Sequence, residues 1–547
     1  MADGSVDLLV IGGGITGAGI ARDAALRGIR TALVDKADFG AGTSSHSSRL
    51  IHGGIRYLEQ YALHLVFEAS HERRVLLRIA PHLVRPLAFL FPLYKGGRVP
   101  PWKLRAGMWL YDMLSLFRNV KWHRWLRPKK VRRVEPGLRD RGLRGAALYY
   151  DAQVDDARLV LATMRAAARA GALVANYVEV TSLLKPDGRV RGAVVRDVLS
   201  GETWTIRANI VVNATGPWSD DVRRLDDPQS PPLLRPTKGA HVAVSRRRIA
   251  NEHAVTLFSQ IDGRVMFVLP WGDLAYVGTT DTDADAPPDA LRVTADDVTY
   301  LLRSANAAFP DAHLAAKDVV SAWAGLRPLL RQDNHASPSQ VSREHQVIES
   351  PHGLITIAGG KLTTYRVMAR DVVDRAARRL RELDGRPIAS RAPTDRLPLP
   401  GGEAAELEVL VEAARSRGAS EATARHLVAY YGSEAAAVLN IVERDRALGE
   451  PLVKGGGGGG GRGDRPEIWA EVVYAIEREM AMRVQDVLIR RMHLFYEMPD
   501  QARDLVPAVA ARMKTLLGWD DVREADELRD YFGVVERTQA FRRDSKA

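Results

Sequence analysis

The stretch from residue 7 to residue 36 constrains the fold of this chain more than any other. It reads DLLVIGGGITGAGIARDAALRGIRTALVDK and predicts a strand over Leu8–Ile11, a helix over Ile15–Leu26 and a second strand over Thr31–Val34. A glycine turn with the spacing G-x-G-x-x-G separates the first strand from the helix. A strand, a glycine turn, a helix and a second strand in this order form the unit that binds a dinucleotide in doubly wound α/β folds.

Each residue of the turn has a physical role in such a site. Gly12 permits the tight turn, Gly14 lets the backbone approach a pyrophosphate, and Gly17 packs the helix against the strand. The N–H groups and the positive dipole end at the start of the helix face the phosphates. Asp35, at the end of the second strand, can accept hydrogen bonds from ribose hydroxyls. These residues predict a dinucleotide site but do not choose among NAD, NADP and FAD.

Length and composition narrow the class of protein. The chain has 547 residues, which is too long for one core and predicts two or three domains. It contains no cysteine, which excludes disulfides, thiolate metal sites and cysteine-based catalysis and favours a cytoplasmic location. No apolar run reaches the roughly 18 residues of a membrane-spanning helix, and the N-terminus does not resemble a secretory signal. The net charge of +11 favours an anionic partner, such as a phosphate ester, a lipid surface or nucleic acid.

Positive charge is concentrated between Lys95 and Arg144, a segment that contains fifteen Lys or Arg residues and only three acidic residues. The same segment contains four tryptophans, Trp102, Trp109, Trp122 and Trp125. Cations interleaved with tryptophan are typical of a segment that lies on an anionic membrane surface. The pattern also fits a solvated basic face with tryptophans in the core, and composition leaves both interpretations open. Nucleic acid is not favoured, because no nucleic-acid-binding module accompanies the segment.

Hydrophobic periodicity predicts the further elements of the chain. Helices are predicted over Leu63–Ile79, Asp155–Ala170, Asp296–Ala308 and Thr364–Leu383. Strands are predicted over Leu173–Val180, Asn209–Asn213 and Gly353–Ile357, with hairpin turns at Pro186–Gly188 and Ser200–Gly201. Short strands between Arg235 and Asp283 predict an antiparallel sheet inserted into the nucleotide-binding fold.

The chain is predicted to divide near residue 390. Residues 1–390 would form a discontinuous nucleotide-binding and substrate domain, with the substrate part mainly in residues 85–150 and 230–330. The proline-rich segment Pro393–Gly402 marks the boundary. Residues 391–547 are helical by period and composition, and the glycine run Gly455–Gly461 is interpreted as a flexible loop.

Several motifs together carry a resemblance to one family. They are VIGGGITGAGIARDAALRG, GTSSHSSRLIHGGIRYLE, DDARLV, VVNATGPWSD, KGAHVAV, PWGDLAYVGTTDTD, AGLRPLL and GGKLTTYR, in this order over residues 10–366. In these motifs the chain resembles the FAD-dependent, quinone-linked glycerol-3-phosphate dehydrogenases of the D-amino-acid-oxidase-like flavoprotein group. The resemblance implies a Rossmann-like FAD-binding α/β fold of the glutathione-reductase type, an inserted antiparallel-sheet substrate domain and an all-α C-terminal domain.

The resemblance implies FAD as cofactor and no metal site. The strand end at Asn213–Gly216 would return the chain to the dinucleotide, and the segment Gly359–Thr363 would lie against the isoalloxazine, with helix amides facing its N1–C2=O edge. The implied cofactor-binding residues are Gly12, Gly14, Ile15, Thr16, Gly17, Asp35, Lys36, Thr43, Ser44, Ser45, Ser48, Leu50, His52, Gly53, Gly54, Val178, Ala214, Thr215, Gly216, Gly360, Lys361, Leu362 and Thr363.

The resemblance also implies oxidation of glycerol 3-phosphate to dihydroxyacetone phosphate by hydride transfer to FAD. A dianionic substrate calls for guanidinium groups, and the implied substrate-binding residues are Arg56, Tyr57, Arg327, Lys361 and Thr364. The implied catalytic residues are His241 as base, Arg327 and Lys361. Each of these residues could instead have a purely structural role: His241 as a core histidine, and Arg56 or Arg327 as the partner of a carboxylate. Asp281 and Asp283 are interpreted as residues that end a strand and cap a turn.

Three alternatives stay open at this point. The first is a glycerol-3-phosphate oxidase, which would pass electrons to oxygen instead of ubiquinone or menaquinone and shares nearly all of these motifs. The second is an amino-acid or sarcosine-type FAD oxidase, and the third is a non-catalytic flavin-binding or membrane-scaffold protein. The family context favours peripheral attachment to the inner face of the cell membrane, and the sequence leaves open whether the chain forms a homodimer.

Overall fold

The computed structural model of the chain describes residues 5–54, 62–116, 119–284, 286–331, 344–404, 406–455 and 464–544. Within these residues the strands are, in chain order, β1 (Ser5–Ile11), β2 (Thr31–Val34), β3 (Leu50–Ile51), β4 (Val84–Tyr94), β5 (Arg124–Leu126), β6 (Leu143–Val154), β7 (Leu173–Ala175), β8 (Val178–Leu183), β9 (Gly192–Asp197), β10 (Thr203–Asn213), β11 (Leu234–Ser245), β12 (Ala254–Phe258), β13 (Val265–Trp271), β14 (Leu274–Gly278), β15 (Thr282–Asp283), β16 (Val319–Leu330), β17 (His345–Glu349) and β18 (Ile355–Gly359).

The α-helices of the same residues are α1 (Ile15–Leu26), α2 (Leu63–Ile79), α3 (Pro101–Leu114), α4 (Pro128–Val134), α5 (Asp156–Arg169), α6 (Ser219–Asp226), α7 (Arg246–Ile249), α8 (Ala295–Ala308), α9 (Tyr365–Asp384), α10 (Leu407–Ser416), α11 (Glu421–Tyr431), α12 (Ala435–Arg444), α13 (Trp469–Glu479), α14 (Leu494–Glu497), α15 (Val506–Leu517), α16 (Asp521–Thr538) and α17 (Phe541–Asp544). No helix of the described residues is both long enough and apolar enough to cross a bilayer.

The first sheet is the nucleotide-binding part, with the main strand order β17-β18-β10-β1-β2-β7. Ile11 at the end of β1 pairs in parallel with Val34 of β2 on one side and with Asn213 of β10 on the other. β18 lies parallel to β10 on its far side. The strands β1, β2, β10 and β18 therefore end at one edge of the sheet, where an open α/β sheet presents its ligand site.

Strand β1 is apolar at successive positions because it is covered on both faces. Leu8 and Val10 belong to the core formed with helices α1, α5 and α9. Leu9 and Ile11 point to the opposite face and pack with the β8–β9–β10 hairpins. Continuous apolar runs are what a parallel strand buried on both faces requires.

The second sheet is mainly antiparallel, in the order β15-β11-β14-β13-β12-β4-β6-β3, with β16 paired to β11 and β5 paired to β6. It contains the strands predicted between Arg235 and Asp283, so the predicted inserted sheet is confirmed. On β11, His241 lies opposite Gly278 of β14 on one side and opposite Trp323 of β16 on the other. This register places His241 at the centre of three strands.

The C-terminal domain consists of helices α10–α17 and short helical turns, including a π-helical turn at Asp486–Arg491. It shares a core with the second sheet, in which Tyr496 lies edge-on to Trp323 with 5.4 Å between ring centroids. The predicted all-α C-terminal domain and the predicted fold class are confirmed. The exact boundaries of the two domains stay a prediction.

Most predicted elements are present, and two differ for local reasons. The single strand predicted over Leu173–Val180 is two strands, β7 and β8, because Tyr177 adopts a left-handed conformation with φ of 57° between them. The strand predicted over Gly353–Ile357 begins at Ile355, because Gly353 closes a turn with the carbonyl of Ser350. Both predicted hairpins are confirmed by the antiparallel pairing of β8 with β9 and of β9 with β10.

Candidate functional site

A cavity of about 840 Å³ lies at the carboxyl edge of the first sheet. Its wall combines the glycine turn after β1, the loop after β2, the end of β10 and the segment after β18 with residues of the second sheet. Segments that are far apart in sequence therefore meet at one site. The predicted site residues that line it are Gly12, Gly14, Ile15, Thr16, Asp35, Lys36, Thr43, Ser44, Ser48, Leu50, His52, Val178, Ala214, Thr215, Gly216, His241, Arg327, Gly360, Lys361, Leu362 and Thr363.

The other predicted site residues are placed elsewhere. Among the described residues, those that do not line the cavity are Gly17, Ser45, Gly53, Gly54 and Thr364. Gly17 acts in packing, since a Cβ there would stand 1.8 Å from the carbonyl oxygen of Gly12. Gly53 donates its amide to Asp151 and packs against Tyr111, so it supports the loop from behind. Arg56 and Tyr57 lie outside the described residues.

The glycine turn has no side chains that would block a ligand or the residues that follow strand β10. Gly12 has φ of 108°, and a Cβ there would come within 2.7 Å of the carbonyl oxygen of Ala214. Gly14 precedes helix α1 and has no side chain to cap the following amides. The amide of Ile15 donates to the Ser44 hydroxyl at 3.0 Å, which ties the loop to the helix start. A helix N-terminus of this kind binds anions.

Asp35 stands in the cavity wall at the end of β2. Its carboxylate accepts from the amide of Gly13, and from the amide of Ala37 at 2.8 Å. Burial raises the pKa of Asp35 and outweighs the two amide hydrogen bonds that lower it, so the pKa stands at about 6. The group is therefore an ionised acceptor above pH 6 and a protonated one below.

The predicted residue Lys36 and two residues that sequence reasoning did not include, Trp218 and Asp289, frame the same end of the cavity. The Lys36 ammonium lies 4.7 Å from the ring centroid of Trp218 and 3.0 Å from the Asp289 carboxylate. The Trp218 indole N–H also donates to Asp289, at 3.2 Å. Trp218 follows the Asn213–Gly216 strand end in the quoted motif VVNATGPWSD, which is a signal that could have identified it. No comparable signal marks Asp289.

The segment after β18 requires glycine at two successive positions. Gly359 and Gly360 have φ of 78° and 87°, in the left-handed region that favours glycine. A Cβ at Gly360 would stand 2.4 Å from the Met368 sulfur. The backbone then places Lys361 in the wall and continues through a short helical turn into α9. The N-terminus of α9 consequently points at this end of the cavity.

His241 is buried and held by two neighbouring side chains. Its Nε2 lies 2.9 Å from the Ser48 hydroxyl, and its ring stacks on Trp323 at 5.3 Å and 7°. Its Nδ1 has no hydrogen-bond partner among the described residues. Burial lowers the pKa of His241, and the positive charges of Arg327 and Arg49 add to this effect, to about 3. The ring is therefore neutral at physiological pH.

Arg327 projects from β16 across β11. Its Nη1 donates to the Asp281 carboxylate at 2.9 Å, and its Nη2 donates to the Thr279 hydroxyl at 3.2 Å. It passes over Gly239, where a Cβ would come within 2.5 Å of Nη2. Sequence reasoning assigned Asp281 to a strand end and turn, whereas the structure shows it buried and paired with Arg327.

These residues fit FAD. The glycine turn admits close approach of a pyrophosphate, Asp35 can accept from a ribose, and the segment Gly359–Thr363 forms the opposite end of one continuous cavity. His241 and Arg327 line the same cavity from the second sheet. The arrangement can therefore hold a dinucleotide between the two sheets and present a histidine and an arginine beside it.

Comparisons with known proteins agree with this geometry. Residues 7–366 match the family described as FAD dependent oxidoreductase, and residues 392–524 match the C-terminal domain of alpha-glycerophosphate oxidase. The chain is 36% identical to the aerobic glycerol-3-phosphate dehydrogenase of Staphylococcus saprophyticus over 98% of this chain and 96% of that protein. It is 37% identical to the protein of the same description from Staphylococcus aureus, over 94% of this chain and 91% of that protein.

A solved structure shows the same fold over nearly the whole chain. It is the glycerol-3-phosphate dehydrogenase from Bacillus halodurans complexed with FAD, with a TM-score of 0.81 and 32% sequence identity. The match covers 98% of this chain and 96% of that one, so it includes the C-terminal helices as well as both sheets.

Proposed function

The chain belongs to the FAD-dependent oxidoreductase family and, within it, to the aerobic glycerol-3-phosphate dehydrogenases, and we propose that it oxidises sn-glycerol 3-phosphate to dihydroxyacetone phosphate. The observation that carries this proposal is the position of Arg327 and His241, which line the cofactor cavity side by side. Arg327 is a cation for the phosphate, and His241 is a neutral base for the hydroxyl. Lys361 completes the wall from the segment after β18.

Arg327 is positioned to bind the substrate phosphate. Asp281 and Thr279 fix the direction of its guanidinium group, so little conformational freedom is lost when the substrate arrives. Guanidinium–phosphate pairs are among the strong hydrogen bonds of proteins because both partners are charged. The carboxylate of Asp281 offsets one positive charge, so further cations are needed for a dianion. Arg56 and Lys361 are proposed for that role, and Tyr57 is retained as a proposed substrate contact, whereas Thr364 does not line the cavity.

His241 is the proposed base for the substrate hydroxyl. A neutral ring can accept a proton, and Ser48 and Trp323 hold its orientation. A pKa of about 3 is too low for an efficient base at pH 7. Two of the causes are the positive charges of Arg327 and Arg49, and a dianionic phosphate beside Arg327 opposes them. We therefore propose that substrate binding raises the pKa of His241 toward the working pH.

The remaining residues prepare the other end of the site. When bound, FAD supplies the acceptor for the hydride that leaves C2 of the substrate as its hydroxyl becomes a carbonyl. Lys361, which lines the cavity, and the N-terminus of α9 would hold positive charge near a bound flavin and favour its reduced form.

We also propose that electrons pass to a membrane quinone, ubiquinone or menaquinone, at the inner face of the cell membrane. Helix α3 supports this, because it is apolar on two faces. Leu104 and Met108 are buried in the core, while Trp102 and Trp109 on the other face are 72% and 55% exposed. Trp122, in the segment that folds back on α3, is 56% exposed. We name the three exposed indoles the tryptophan surface.

The cations around the tryptophan surface suit an anionic lipid surface. Lys103 and Arg105 of α3 are exposed, as are Lys121 and Arg124 after it. Exposed tryptophan next to exposed Lys and Arg is the composition of peripheral membrane contacts. The sequence also allowed the interpretation that the tryptophans are packed in the core, but none of these three indoles is buried.

An anaerobic flavin assay tests the proposed activity. Adding glycerol 3-phosphate to purified, FAD-loaded protein is expected to bleach the flavin absorbance, while sarcosine and glycine leave it unchanged. Bleaching by sarcosine alone would instead assign an amino-acid-type oxidase. Arg327→Ala in the cavity and Arg331→Ala, an exposed residue directly after the same strand, form a matched pair. Loss of bleaching in Arg327→Ala alone would show that the effect concerns substrate binding and not general stability.

The electron acceptor needs a separate measurement. Protein reduced by glycerol 3-phosphate is expected to be reoxidised faster by a short-chain quinone in anionic vesicles than by air-saturated buffer. If reoxidation produced stoichiometric hydrogen peroxide and quinone did not accelerate it, the protein would be an oxidase and the quinone proposal would be wrong.

A further inference from the structure

The C-terminal domain meets the nucleotide-binding sheet through a buried cluster of two arginines and two carboxylates. Arg491 donates from both terminal nitrogens to Asp38, with Nη2–Oδ1 at 2.9 Å. Arg490 donates to Asp38 and to Asp486. The side chains of all four are at most 7% exposed. Asp486, Arg490 and Arg491 share the π-helical turn, and we call them the Arg clamp.

The first loop held by the Arg clamp is a wall of the cofactor cavity. It runs from Asp35, which lines the cavity, to Gly40. On the cavity side it is bound to the glycine turn, because the amide of Gly13 donates to Asp35 and the amide of Gly40 donates to the carbonyl of Gly13 at 3.0 Å. On the other side Asp38 is bound to the Arg clamp. The loop is thus fixed between the glycine turn and the C-terminal domain.

The second loop held by the Arg clamp is the turn between β7 and β8. The Tyr177 hydroxyl donates to Asp486 at 2.6 Å. The amide of Tyr177 donates to the carbonyl of Ala37 at 3.1 Å, and the amide of Val178 donates to that of Asp35 at 2.7 Å. Val178 lines the cavity beside Asp35. Both loops lie at the end of the cavity that contains the glycine turn and Asp35, where the AMP half of FAD would bind, and both connect to one turn of the C-terminal domain.

The energetics of the cluster favour a role in specifying geometry. Burial raises the pKa of Asp38, but the guanidinium groups of Arg491 and Arg490 more than offset this and hold that pKa below its ordinary value. Asp38 consequently stays ionised in the interior. A buried, paired cluster adds little net stability compared with an apolar one, yet it tolerates few alternative arrangements. In this protein the arrangement that the cluster specifies is the position of two loops of the cavity wall.

We propose that the C-terminal domain positions the AMP half of the cofactor site, with Asp486, Arg490 and Arg491 as positioning residues for the two loops. None of the three lines the cavity. The inference goes beyond the proposed function and requires only that the chain binds FAD. Its test therefore does not depend on the identity of the substrate.

The test measures FAD dissociation from purified holoenzyme by the fluorescence of released flavin. Arg491→Gln is expected to weaken FAD binding by about tenfold or more, the effect of removing a charged hydrogen-bond partner. Arg491→Lys keeps the charge but not the two-pronged contact and is expected to recover part of the affinity. With FAD saturating, the KM for glycerol 3-phosphate is expected to stay within about twofold of the original, because the substrate end is untouched.

A second buried pair at the same domain interface provides the control. Arg158 of α5 makes two hydrogen bonds to Glu479 of α13, at 2.7 and 2.8 Å, with side-chain exposure of 5% and 0%. Arg158→Gln should lower the melting temperature as Arg491→Gln does but leave FAD affinity unchanged. Should Arg491→Gln fail to fold, Tyr177→Phe removes only the hydroxyl contact to Asp486 and should still weaken FAD binding. Unchanged FAD affinity in the foldable variants, or an equal loss in Arg158→Gln, would overturn the proposal.

Discussion

Single glycines make room for the side chains that are proposed to act in the site. Gly278 of β14 lies opposite His241, and a Cβ there would stand 2.1 Å from the imidazole Cδ2. Gly239 makes the same kind of room for Arg327. Glycine inside a strand weakens the strand, so its presence marks a close approach of another group. In β11 and β14 that group is a proposed site residue.

Replacing Gly278 with alanine should impair turnover without removing the cofactor. The added methyl group would displace the His241 ring, and a misplaced base lowers kcat/KM by about a hundredfold. FAD content, read from the flavin absorbance of the purified protein, should be unchanged. Gly533→Ala in helix α16 is the matched control, because its Cβ would meet its nearest neighbour at 3.4 Å. Equal activity of both variants would show that His241 does not act as proposed.

Asp35 should make FAD affinity depend on pH. Its pKa of about 6 means that the carboxylate is ionised at pH 7 and largely protonated at pH 5. If FAD binds the ionised form, the affinity should fall as pH falls below 6, by at most about tenfold per pH unit. Titration of apoprotein with FAD at pH 7 and pH 5 measures this. In Asp35→Asn the dependence should disappear over that range, and a slope that persists would assign it to another group.

At the scale of elements, the two sheets form the cofactor site, and one surface helix carries the proposed membrane contact. The first sheet ends β1, β2, β10 and β18 at one edge, and the second sheet contributes side chains from β11 and β16. Helix α3 buries Leu104, Met108 and Tyr111 against the core and exposes indoles on its other side. A soluble helix with two apolar faces has a second contact to make. The cations beside it suit the anionic lipid surface proposed above.

Removing two indoles from the tryptophan surface should weaken membrane binding. Trp102→Ser with Trp109→Ser is expected to reduce binding to anionic liposomes by about tenfold or more, because less apolar surface enters the interface. Co-sedimentation at low and high salt measures both the apolar and the electrostatic part, and raised salt should weaken the binding of the original protein. Val409→Ser in α10, where the side chain is 60% exposed, is the control. Binding that the double variant retains in full would place the contact elsewhere.

At the scale of the whole molecule, the cofactor cavity is a junction between parts of the chain. Its wall takes residues from both sheets, and the loops behind the wall are bound to the C-terminal domain. A ligand that contacts several units only in their folded arrangement stabilises all of them together. Folding of this chain should therefore be linked to FAD binding.

Removal of FAD should lower the melting temperature of the entire chain. Free FAD at about a thousand times its dissociation constant contributes roughly 4 kcal/mol to the free energy of unfolding. Differential scanning calorimetry of apoprotein and holoprotein is expected to show one cooperative transition that moves upward with added FAD. AMP, which can fill only one end of the cavity, should give a smaller shift. A transition of the C-terminal domain that ignores FAD would contradict the coupling described here.

Local patterns were sufficient for many of the elements of the chain. The spacing of Gly12, Gly14 and Gly17 after an apolar run predicted strand, turn and helix, because those properties depend on residues close together in sequence. Helix α2 was predicted with the bounds that it has. Tyr177 broke a predicted strand because a left-handed residue leaves no mark in hydrophobic periodicity.

The sequence by itself determined the dinucleotide unit, the inserted sheet, the helical C-terminal domain and, through its motifs, the family. Only the tertiary structure decided which charges meet. It paired Arg327 with Asp281, placed Trp102 and Trp109 in solvent, and joined Asp38 to Arg491 across 453 positions of sequence. The physical reason is that a secondary-structure pattern repeats within a few residues, whereas burial and ion pairing depend on which distant surfaces the folded chain brings together.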